Sequence, residues 1–351
     1  MSIIPPTMKA VVVKEKGVIA VEDVPVPTLA DDEILVKVAA VAQNPTDWQH
    51  VDLVGNPGTI LGCDWSGHVV KRGSKVSKFA FADHVAGFAH GGTYTDRGAF
   101  AEYVKAPEDL AWKVPSDEIS NEESATLGCA FWTAVQALFH PGRLGLVEPP
   151  KKVKREEWIF VYGGSTSVGV YAVQLAHVAG YKVVSVASPH NHDLVKNKGA
   201  DAVFDYKDPQ VVEKIKAATK NSLHLALDTI SSAETQSLVV RSLADGPGKI
   251  IVLQKPEEEA IKLRSDVTIQ HTLIYTALGK EFTLGTFYPA SNEDRAHIAQ
   301  FLKKLPDLIN AGVVRHNKIK RWQGGLEAIK DGLQFQREGK LSGQKIVYRV
   351  G

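Results

Sequence analysis

Residues 158–169, with the sequence WIFVYGGSTSVG, decide the fold. The first five residues are apolar enough for a short buried strand, and a helix is predicted over 168–179. Small residues between the two elements let a phosphate approach the backbone, and the N–H groups at the helix start favour its charge. The stretch therefore predicts a pyrophosphate loop formed by Gly164, Ser165, Thr166, Ser167 and Val168. A strand-to-helix turn without a ligand is the alternative.

Short apolar strands and helices alternate on both sides of this loop, and this alternation predicts an α/β domain. Strands of about five residues that alternate with helices are typical of a parallel, doubly wound sheet. The predicted strands are 158–162, 182–187, 202–204, 223–227 and 249–253. The predicted helices are 168–179, 193–198, 211–219 and 233–243. We expect this cofactor-binding domain to span residues 126–285.

The chain before and after this region has a different pattern. Residues 8–125 contain short apolar runs broken by Gly and Pro, which is typical of a β-rich barrel or sandwich. We expect a first domain over 1–125 and a C-terminal segment over 286–351 that returns to it. That segment is predicted to hold a helix over 294–310 and a final strand over 345–349.

The end of the second predicted strand indicates which dinucleotide binds. An NAD site usually has an Asp or Glu there for the ribose hydroxyls, but no acid occurs before Asp193. Ser188, His190 and Asn191 better suit the extra phosphate of NADP, and Tyr206 could contact the adenosine. The alternative for Ser188 and Asn191 is that they cap the next helix.

Composition excludes several classes of protein. The chain has 351 residues, with 41 Lys and Arg against 40 Asp and Glu, so no global field would hold a nucleic acid. No apolar stretch is long enough for a membrane helix and no secretory signal is evident, so we expect a cytoplasmic protein. The two cysteines, Cys63 and Cys129, exclude a disulfide framework and a four-cysteine zinc site.

Several motifs, in their order along the chain, carry a resemblance to a known family. They are NPTD at 44–47, GCDWSG at 62–67, GAFAEY at 98–103, LGCAFWTA at 127–134 and the glycine loop. Over nearly its whole length the chain resembles the medium-chain dehydrogenase/reductase superfamily. The resemblance implies a GroES-like catalytic domain and a Rossmann domain, with the active site in the cleft between them. The loop, SPHN at 188–191 and LSGQKIVY at 341–348 also resemble fungal enoyl reductases, including those that act in trans with polyketide synthases.

The superfamily has zinc and zinc-free branches. The positions that match the catalytic zinc ligands hold Asn44, Cys63 with Asp64, and Cys129, so two ligand types have changed. The resemblance therefore implies the zinc-free branch, while a metal held by Cys63, Asp64 and Cys129 stays an alternative. Without a Lewis acid to polarise an oxygen, alcohol oxidation is disfavoured.

The resemblance implies hydride transfer from NADPH to the β carbon of an enoyl thioester or another α,β-unsaturated carbonyl. A quinone reductase, a trans-acting partner of a polyketide synthase and a non-catalytic NADPH-binding protein are the alternatives. Tyr94, His50 and His90 are candidate proton donors. Related trans-acting reductases commonly have Lys where this chain has Gln49.

The resemblance also assigns roles to individual residues. Those expected to act in catalysis are Thr133, Asn44 and Asp47. Further cofactor contacts are expected from Asn44, Thr46, Asp47, Leu253, Leu341 and Ser342. Aromatic and apolar groups suit an acyl chain or an aryl enone, so substrate contacts are expected from Phe131, Trp132, Leu284, Thr286, Phe287 and Tyr288; ordinary core at the domain interface is the alternative. A basic loop at 151–155 is the one sequence hint of a synthase partner, and a solvated surface loop is its alternative. We expect a monomer or a homodimer.

Overall fold

The computed structural model describes residues 4–115 and 118–350. The chain forms two compact units: the first contains Met1–Ala130 and Tyr275–Gly351, and the second contains Phe131–Ile274. The chain therefore returns to the first unit at Tyr275, whereas the sequence predicted that it would return at residue 286. The physical reason is that the ring of Tyr275 stacks on His90 of the same unit.

The N-terminal part of the first unit is mainly β structure. Its strands are β1 (Thr7–Glu15), β2 (Val18–Pro25), β3 (Glu33–Ala42), β4 (Asp64–Arg72), β5 (His84–Phe88), β6 (Tyr103–Pro107) and β7 (Ala111–Lys113). Its helices are α1 (Pro45–Gln49), continued by a π-helical turn at His50–Val54, and α2 (Asn121–Ser124). Helix α3 (Cys129–Phe139) contains the boundary with the second unit. β3 pairs antiparallel with both β4 and β6, which makes it the centre of this sheet.

The second unit is a parallel sheet with intervening helices. Its strands are β8 (Trp158–Tyr162), β9 (Lys182–Val186), β10 (Ala202–Phe204), β11 (Leu225–Asp228), β12 (Gly248–Val252) and β13 (Val267–His271). Its helices are α4 (Ser167–Val178), α5 (His192–Asn197), α6 (Val211–Ala218), α7 (Ala233–Ser242) and α8 (Glu258–Leu263). The strand order β10-β9-β8-β11-β12-β13 reverses beside β8, which confirms the predicted doubly wound sheet.

The C-terminal part of the chain, from Tyr275 on, belongs to the first unit. The elements are β14 (Phe282–Leu284), β15 (Thr286–Tyr288), α9 (Asn292–Leu302), α10 (Leu305–Asn310), β16 (Ile319–Arg321), α11 (Ile329–Arg337) and β17 (Lys345–Arg349). β17 has the predicted bounds and pairs antiparallel with β3. The single helix predicted over 294–310 is wrong: Pro306, which has no N–H, lies in the first turn of a separate helix, α10.

Each unit has its own apolar core. In the first, Val36, Val69 and Ile346 from three strands of the sheet are buried together. In the second, Phe160 and Ile250 from the sheet pack with Ile215 and Val239 from the helices. Within residues 4–115 and 118–350, the helices are all too short or too polar to cross a lipid bilayer.

Candidate active site

The glycine loop connects β8 to α4 in the second unit. Gly163 has φ +77°, a backbone conformation that favours glycine. A Cβ on Gly164 would lie 2.2 Å from Ser185 Oγ, and one on Gly169 would lie 2.1 Å from the Gly163 carbonyl oxygen. These three positions need glycine to hold the backbone tight against its neighbours. The N–H groups of the first turn of α4 are thereby presented at the end of β8, where the sheet order reverses.

Thr166 is a predicted phosphate contact, which stays a prediction, and its hydroxyl makes hydrogen bonds around the loop. Its hydroxyl oxygen accepts the Gly169 N–H at 2.9 Å, so Thr166 caps α4. The same oxygen lies 2.9 Å from the hydroxyl of Thr229, which in turn donates to the Tyr162 carbonyl at 2.8 Å. The Thr166 side chain is therefore used to fix the loop. Ser165, Ser167 and Val168 are half-buried at the start of α4 and stay predicted phosphate contacts.

The residues predicted to select NADP follow β9. Ser188 precedes a 3₁₀ turn at Pro189–Asn191, and its side chain makes no capping bond to that turn. Its hydroxyl lies 3.3 Å from the hydroxyl of Tyr206, so the structure brings these two predicted residues together. His190 is exposed and Asn191 is buried at the same turn. The geometry at Ser188 argues against the alternative of helix capping.

A buried polar cluster in the first unit contains the predicted residues Asn44 and Asp47. The Asp47 carboxylate accepts the Asn44 N–H at 2.6 Å, which fixes the start of α1. Asn44 Oδ1 accepts a hydrogen bond from Lys345 Nζ at 2.6 Å. Lys345 Nζ also lies 2.9 Å from Asp64 Oδ2, and both of these side chains are almost completely buried. Asp64 Oδ1 accepts the Cys129 N–H at 2.6 Å, so the cluster joins four distant segments of the chain.

Gly128, between Leu127 and Cys129, separates α3 from the turn that precedes it. Residues Ala125–Leu127 make a 3₁₀ turn, and α3 starts at Cys129. A Cβ on Gly128 would lie 2.3 Å from Asp64 Oδ1, so glycine allows the carboxylate to reach the Cys129 N–H. The break in the helix is thus part of the polar cluster.

The residues at the zinc-ligand positions do not fit a zinc ion. The ammonium of Lys345 lies between Asn44 and Asp64 and already supplies a positive charge to that carboxylate. Burial raises the pKa of the Cys63 thiol well above its usual value. Among the residues that the structure describes, no group of three or more His, Cys, Asp or Glu is arranged to hold a metal ion.

The carboxyl group of Asp47, within this polar cluster, has a raised pKa. Burial, together with the charge of Asp64, raises the pKa of Asp47 to about 7, against the lowering effects of the Asn44 N–H and the Lys345 ammonium. The Cys63 thiol also makes a hydrogen bond to this carboxyl group. Asn44 and Asp47 are both nearly inaccessible to solvent. These contacts favour a role in positioning α1 over direct contact with a ligand.

Thr46 connects this cluster to a group of aromatic rings. Its hydroxyl lies 2.6 Å from the hydroxyl of Tyr275. The Tyr275 ring stacks on His90 at 3.6 Å between centroids and 12° between planes. His50, one of the candidate proton donors, has Nδ1 2.9 Å from the Thr46 carbonyl oxygen. Burial lowers the pKa values of both histidines, so both rings are neutral at pH 7.

The predicted substrate and catalytic residues on α3 are buried. Phe131 and Trp132 are fully inaccessible, and the Phe131 ring meets Tyr171 edge-on at 5.4 Å. Full burial favours a packing role for both rings over the predicted contact with substrate. Thr133 follows them on α3 and is also buried. Its predicted contact with the nicotinamide stays a prediction.

The remaining predicted residues lie in four places. Leu284, Thr286, Phe287 and Tyr288 form the β14–β15 hairpin of the first unit, where Phe287 is 63% exposed. Leu253 follows β12 in the second unit, and its N–H donates to Ser231 Oγ at 2.8 Å. Leu341 packs against the core of the first unit, and Ser342 is exposed. The basic loop near residue 155 is exposed, with Arg155 paired to Glu157, as in its surface-loop alternative.

Sequence reasoning did not find Tyr275, Lys345 or the part that Thr229 plays. Lys345 could have been found, because a lysine inside the apolar strand KIVYR indicates a buried charge that needs a partner. Tyr275 had no such signal, since its contacts with Thr46 and His90 join segments far apart in sequence.

Comparison with known proteins identifies relatives along the whole chain. Residues 30–116 match the family described as an alcohol dehydrogenase GroES-like domain, and residues 167–295 match the family described as a zinc-binding dehydrogenase. The chain is 42% identical to the trans-enoyl reductase ACTTS2 of Alternaria alternata over 350 residues, which cover 98% of this chain and 99% of the relative.

Solved structures with the same fold include the CurK enoyl reductase and a mycobacterial protein in complex with NADPH. The first has a TM-score of 0.78 at 20% identity and covers 98% of this chain and 99% of its own. The second has a TM-score of 0.75 at 22% identity and covers 98% of this chain and 100% of its own. At these identities the likeness shows a common fold.

Proposed function

Because this chain belongs to the medium-chain dehydrogenase/reductase superfamily, we propose that it is an NADPH-dependent reductase of activated carbon–carbon double bonds. The proposed substrate is an enoyl thioester or an α,β-unsaturated ketone or aldehyde. The observation that carries the proposal is the similarity to a trans-enoyl reductase along the full length of both chains.

The donor set of the first unit supports this reaction over alcohol oxidation. Reduction of a carbonyl or oxidation of an alcohol benefits from a metal that polarises the oxygen, and Asn44, Asp64 and Lys345 leave no position for one. An activated alkene needs less polarisation, because conjugation already makes its β carbon electrophilic. The bound nucleotide supplies the hydride, and the electron pair of the double bond moves onto the carbonyl oxygen as an enolate.

The residues of the chain have the tasks of holding the cofactor and of delivering a proton. The first turn of α4, with Ser165 and Ser167, is proposed to bind the pyrophosphate. The neutral Ser188 and Tyr206 pair supports NADPH over NADH, because it offers hydroxyls to the extra phosphate without a repelling carboxylate. Thr133 is proposed to contact the nicotinamide. The enolate takes its proton at the α carbon, from water or from Tyr94.

The test is NADPH oxidation with a 2-enoyl thioester, an aryl enone and a quinone. With NADPH deuterated at C4, prepared on each face in turn, we expect the saturated product of the thioester or the enone to carry deuterium at the β carbon by NMR. Turnover of the quinone alone would reject the proposal in favour of a quinone reductase. NADPH binding without turnover of any of the three would favour a non-catalytic protein.

A second experiment tests whether a thioester substrate reaches the protein on a carrier domain or as a free small molecule. The relative named a trans-enoyl reductase supports a substrate carried by a synthase. If the chain works with a synthase, the same enoyl group should react faster when attached to an acyl carrier domain than when attached to free pantetheine. Equal rates would indicate an enzyme that acts on free small molecules.

A further inference from the structure

The first unit contains a cavity lined by aromatic and cationic side chains. Its empty space, which is open to solvent, is about 480 Å³, and its lining includes Phe88, His90, Tyr275 and Phe282. Around it stand three cationic side chains, Arg97, Lys105 and Lys280.

The interior of the cavity is a set of stacked and edge-on rings. His90 stacks on Tyr275, Phe88 lies 5.6 Å from Tyr275 with 24° between the ring planes, and Phe282 meets His90 edge-on at 5.1 Å. These rings pack on one another and form an apolar wall, which suits contact with an aromatic ring or an acyl chain. His90 is 3% exposed, and its Nε2 has no hydrogen-bond partner among the residues that the structure describes. A buried polar atom of this kind indicates a place for a bound polar group.

Two of the three cations that line the cavity are paired with carboxylates. Arg97 pairs with Glu33 at 2.7 Å, and Lys105 pairs with Asp96 at 2.5 Å. Lys280 makes no ion pair within the described part of the chain. Burial and the neighbouring charge of Arg97 lower the pKa of Lys280, as expected for an ammonium held near other cations. An ammonium without an ion pair beside an apolar wall suits a negatively charged group on a ligand.

We propose that this cavity binds an organic monoanion, with its aromatic or acyl body against the rings and its carboxylate or phosphodiester group on Lys280. The cavity adjoins the candidate active site, because Tyr275 forms its wall and also bonds to Thr46. The identification of this anion with the substrate rests on the proposed function. The substrate then carries a charged group away from its double bond, either its own carboxylate or the phosphodiester of a pantetheine arm.

The test is calorimetric binding of matched anionic and neutral probes to the full chain, with no turnover required. The carboxylate pair is 3-phenylpropanoate and 3-phenylpropanamide. The phosphodiester pair is S-butanoyl pantetheine 4′-methylphosphate and S-butanoyl pantetheine. In one of the two pairs we expect the anion to bind about tenfold more tightly than its neutral partner. The pair that shows the preference identifies the source of the anion.

Three variants show whether the cavity is responsible. Lys280→Gln should abolish the preference, and Lys340→Gln, which alters an exposed ion pair with Glu338, should keep it. Phe282→Ala should weaken the binding of both probes of the preferred pair equally, because it removes a contact with the aromatic or acyl body that the two probes share. Equal binding of anion and neutral partner, no binding of any probe, or a preference that survives in Lys280→Gln would overturn the proposal.

Failure of the proposed function gives a different result. In that case NADPH oxidation is absent with the thioester and the enone, while the anion preference in calorimetry and its loss in Lys280→Gln persist. The two proposals are therefore separable by these measurements.

Discussion

The glycine loop of the second unit and the Lys345 cluster of the first unit achieve rigidity in opposite ways. The loop is one contiguous stretch whose shape depends on backbone contacts, since Gly164 and Gly169 have no room for a Cβ. The cluster is built from side chains, and Asn44, Asp64 and Lys345 come from segments remote in sequence. A backbone-built site is sensitive to added volume, whereas a side-chain-built site is sensitive to lost charge. Substitutions of the two kinds should therefore separate the two regions.

The largest expected effect is from Lys345→Met, which removes the buried ammonium. Asp64 then stays buried without its cation, and the free energy of unfolding should fall by about 3–5 kcal/mol. Urea titration followed by tryptophan fluorescence measures this change. Lys340→Met, at an exposed ion pair, is the matched control and should cost less than about 1 kcal/mol.

A double variant sharpens this prediction. Lys345→Met combined with Asp64→Asn leaves no uncompensated charge and keeps an oxygen for the Cys129 N–H. It should recover part of the lost stability. If the single Lys345 variant is as stable as the control, the cluster is not held together by this charge pair.

The next largest effect is expected from Gly169→Ala in the loop. The added methyl group would meet the Gly163 carbonyl oxygen and open the turn at the start of α4. The dissociation constant for NADPH, measured by nicotinamide fluorescence, should rise on the order of a hundredfold. Gly246→Ala, where φ is +93° but the space is open, tests for simple backbone strain and should leave binding intact. Unchanged NADPH binding in the Gly169 variant would contradict the assignment of the loop.

The same contrast explains what could be predicted from the sequence. The loop was predictable because its strand, glycines and helix start follow one another in the chain. The doubly wound sheet was predictable for the same reason, since each strand–helix repeat is local. β17 was predicted with its observed bounds, but the partners of Lys345 were not, because a sequence does not show which distant carboxylate meets a buried lysine.

The roles of individual side chains within the predicted elements were harder to predict from the sequence. Thr166 lies in the predicted loop, but its hydroxyl is used by Gly169 and Thr229, and Thr229 is a residue of another strand–helix connection. Phe131 and Trp132 resemble a substrate wall in sequence and are fully buried in the structure. Burial depends on what packs against a side chain, which local pattern does not specify.

A smaller effect is expected from Ser188→Asp at the end of β9. The new carboxylate would repel the 2′-phosphate of NADPH and offer an acceptor to the ribose of NADH. The ratio of the two dissociation constants should shift toward NADH by about tenfold. Asn197→Asp, on the exposed end of α5, adds the same charge as a control. If the ratio is unchanged in the Ser188 variant, this turn does not select the cofactor.

The smallest effect concerns a second side-chain-built cluster in the first unit, around His84 on β5. His84 Nε2 lies 2.9 Å from Ser66 Oγ, and its ring stacks on His68. Burial, followed by the charge of His68, lowers the pKa of His84 to about 4. Between pH 6.5 and 4 the unfolded chain therefore binds a proton at this histidine that the folded chain does not, so stability should fall as the pH falls.

Partial exposure of the His84 ring lets solvent screen its charge, so the loss should be about 1 kcal/mol between pH 7.5 and 5. Urea midpoints at these two pH values measure it. In His84→Gln this part of the pH dependence should disappear, because glutamine keeps a hydrogen-bonding group but does not titrate. His224→Gln, at an exposed histidine of the second unit, should retain the full acid sensitivity. The same acid sensitivity in wild type and His84→Gln would show that this polar cluster, unlike that of Lys345, does not depend on the charge state of its side chains.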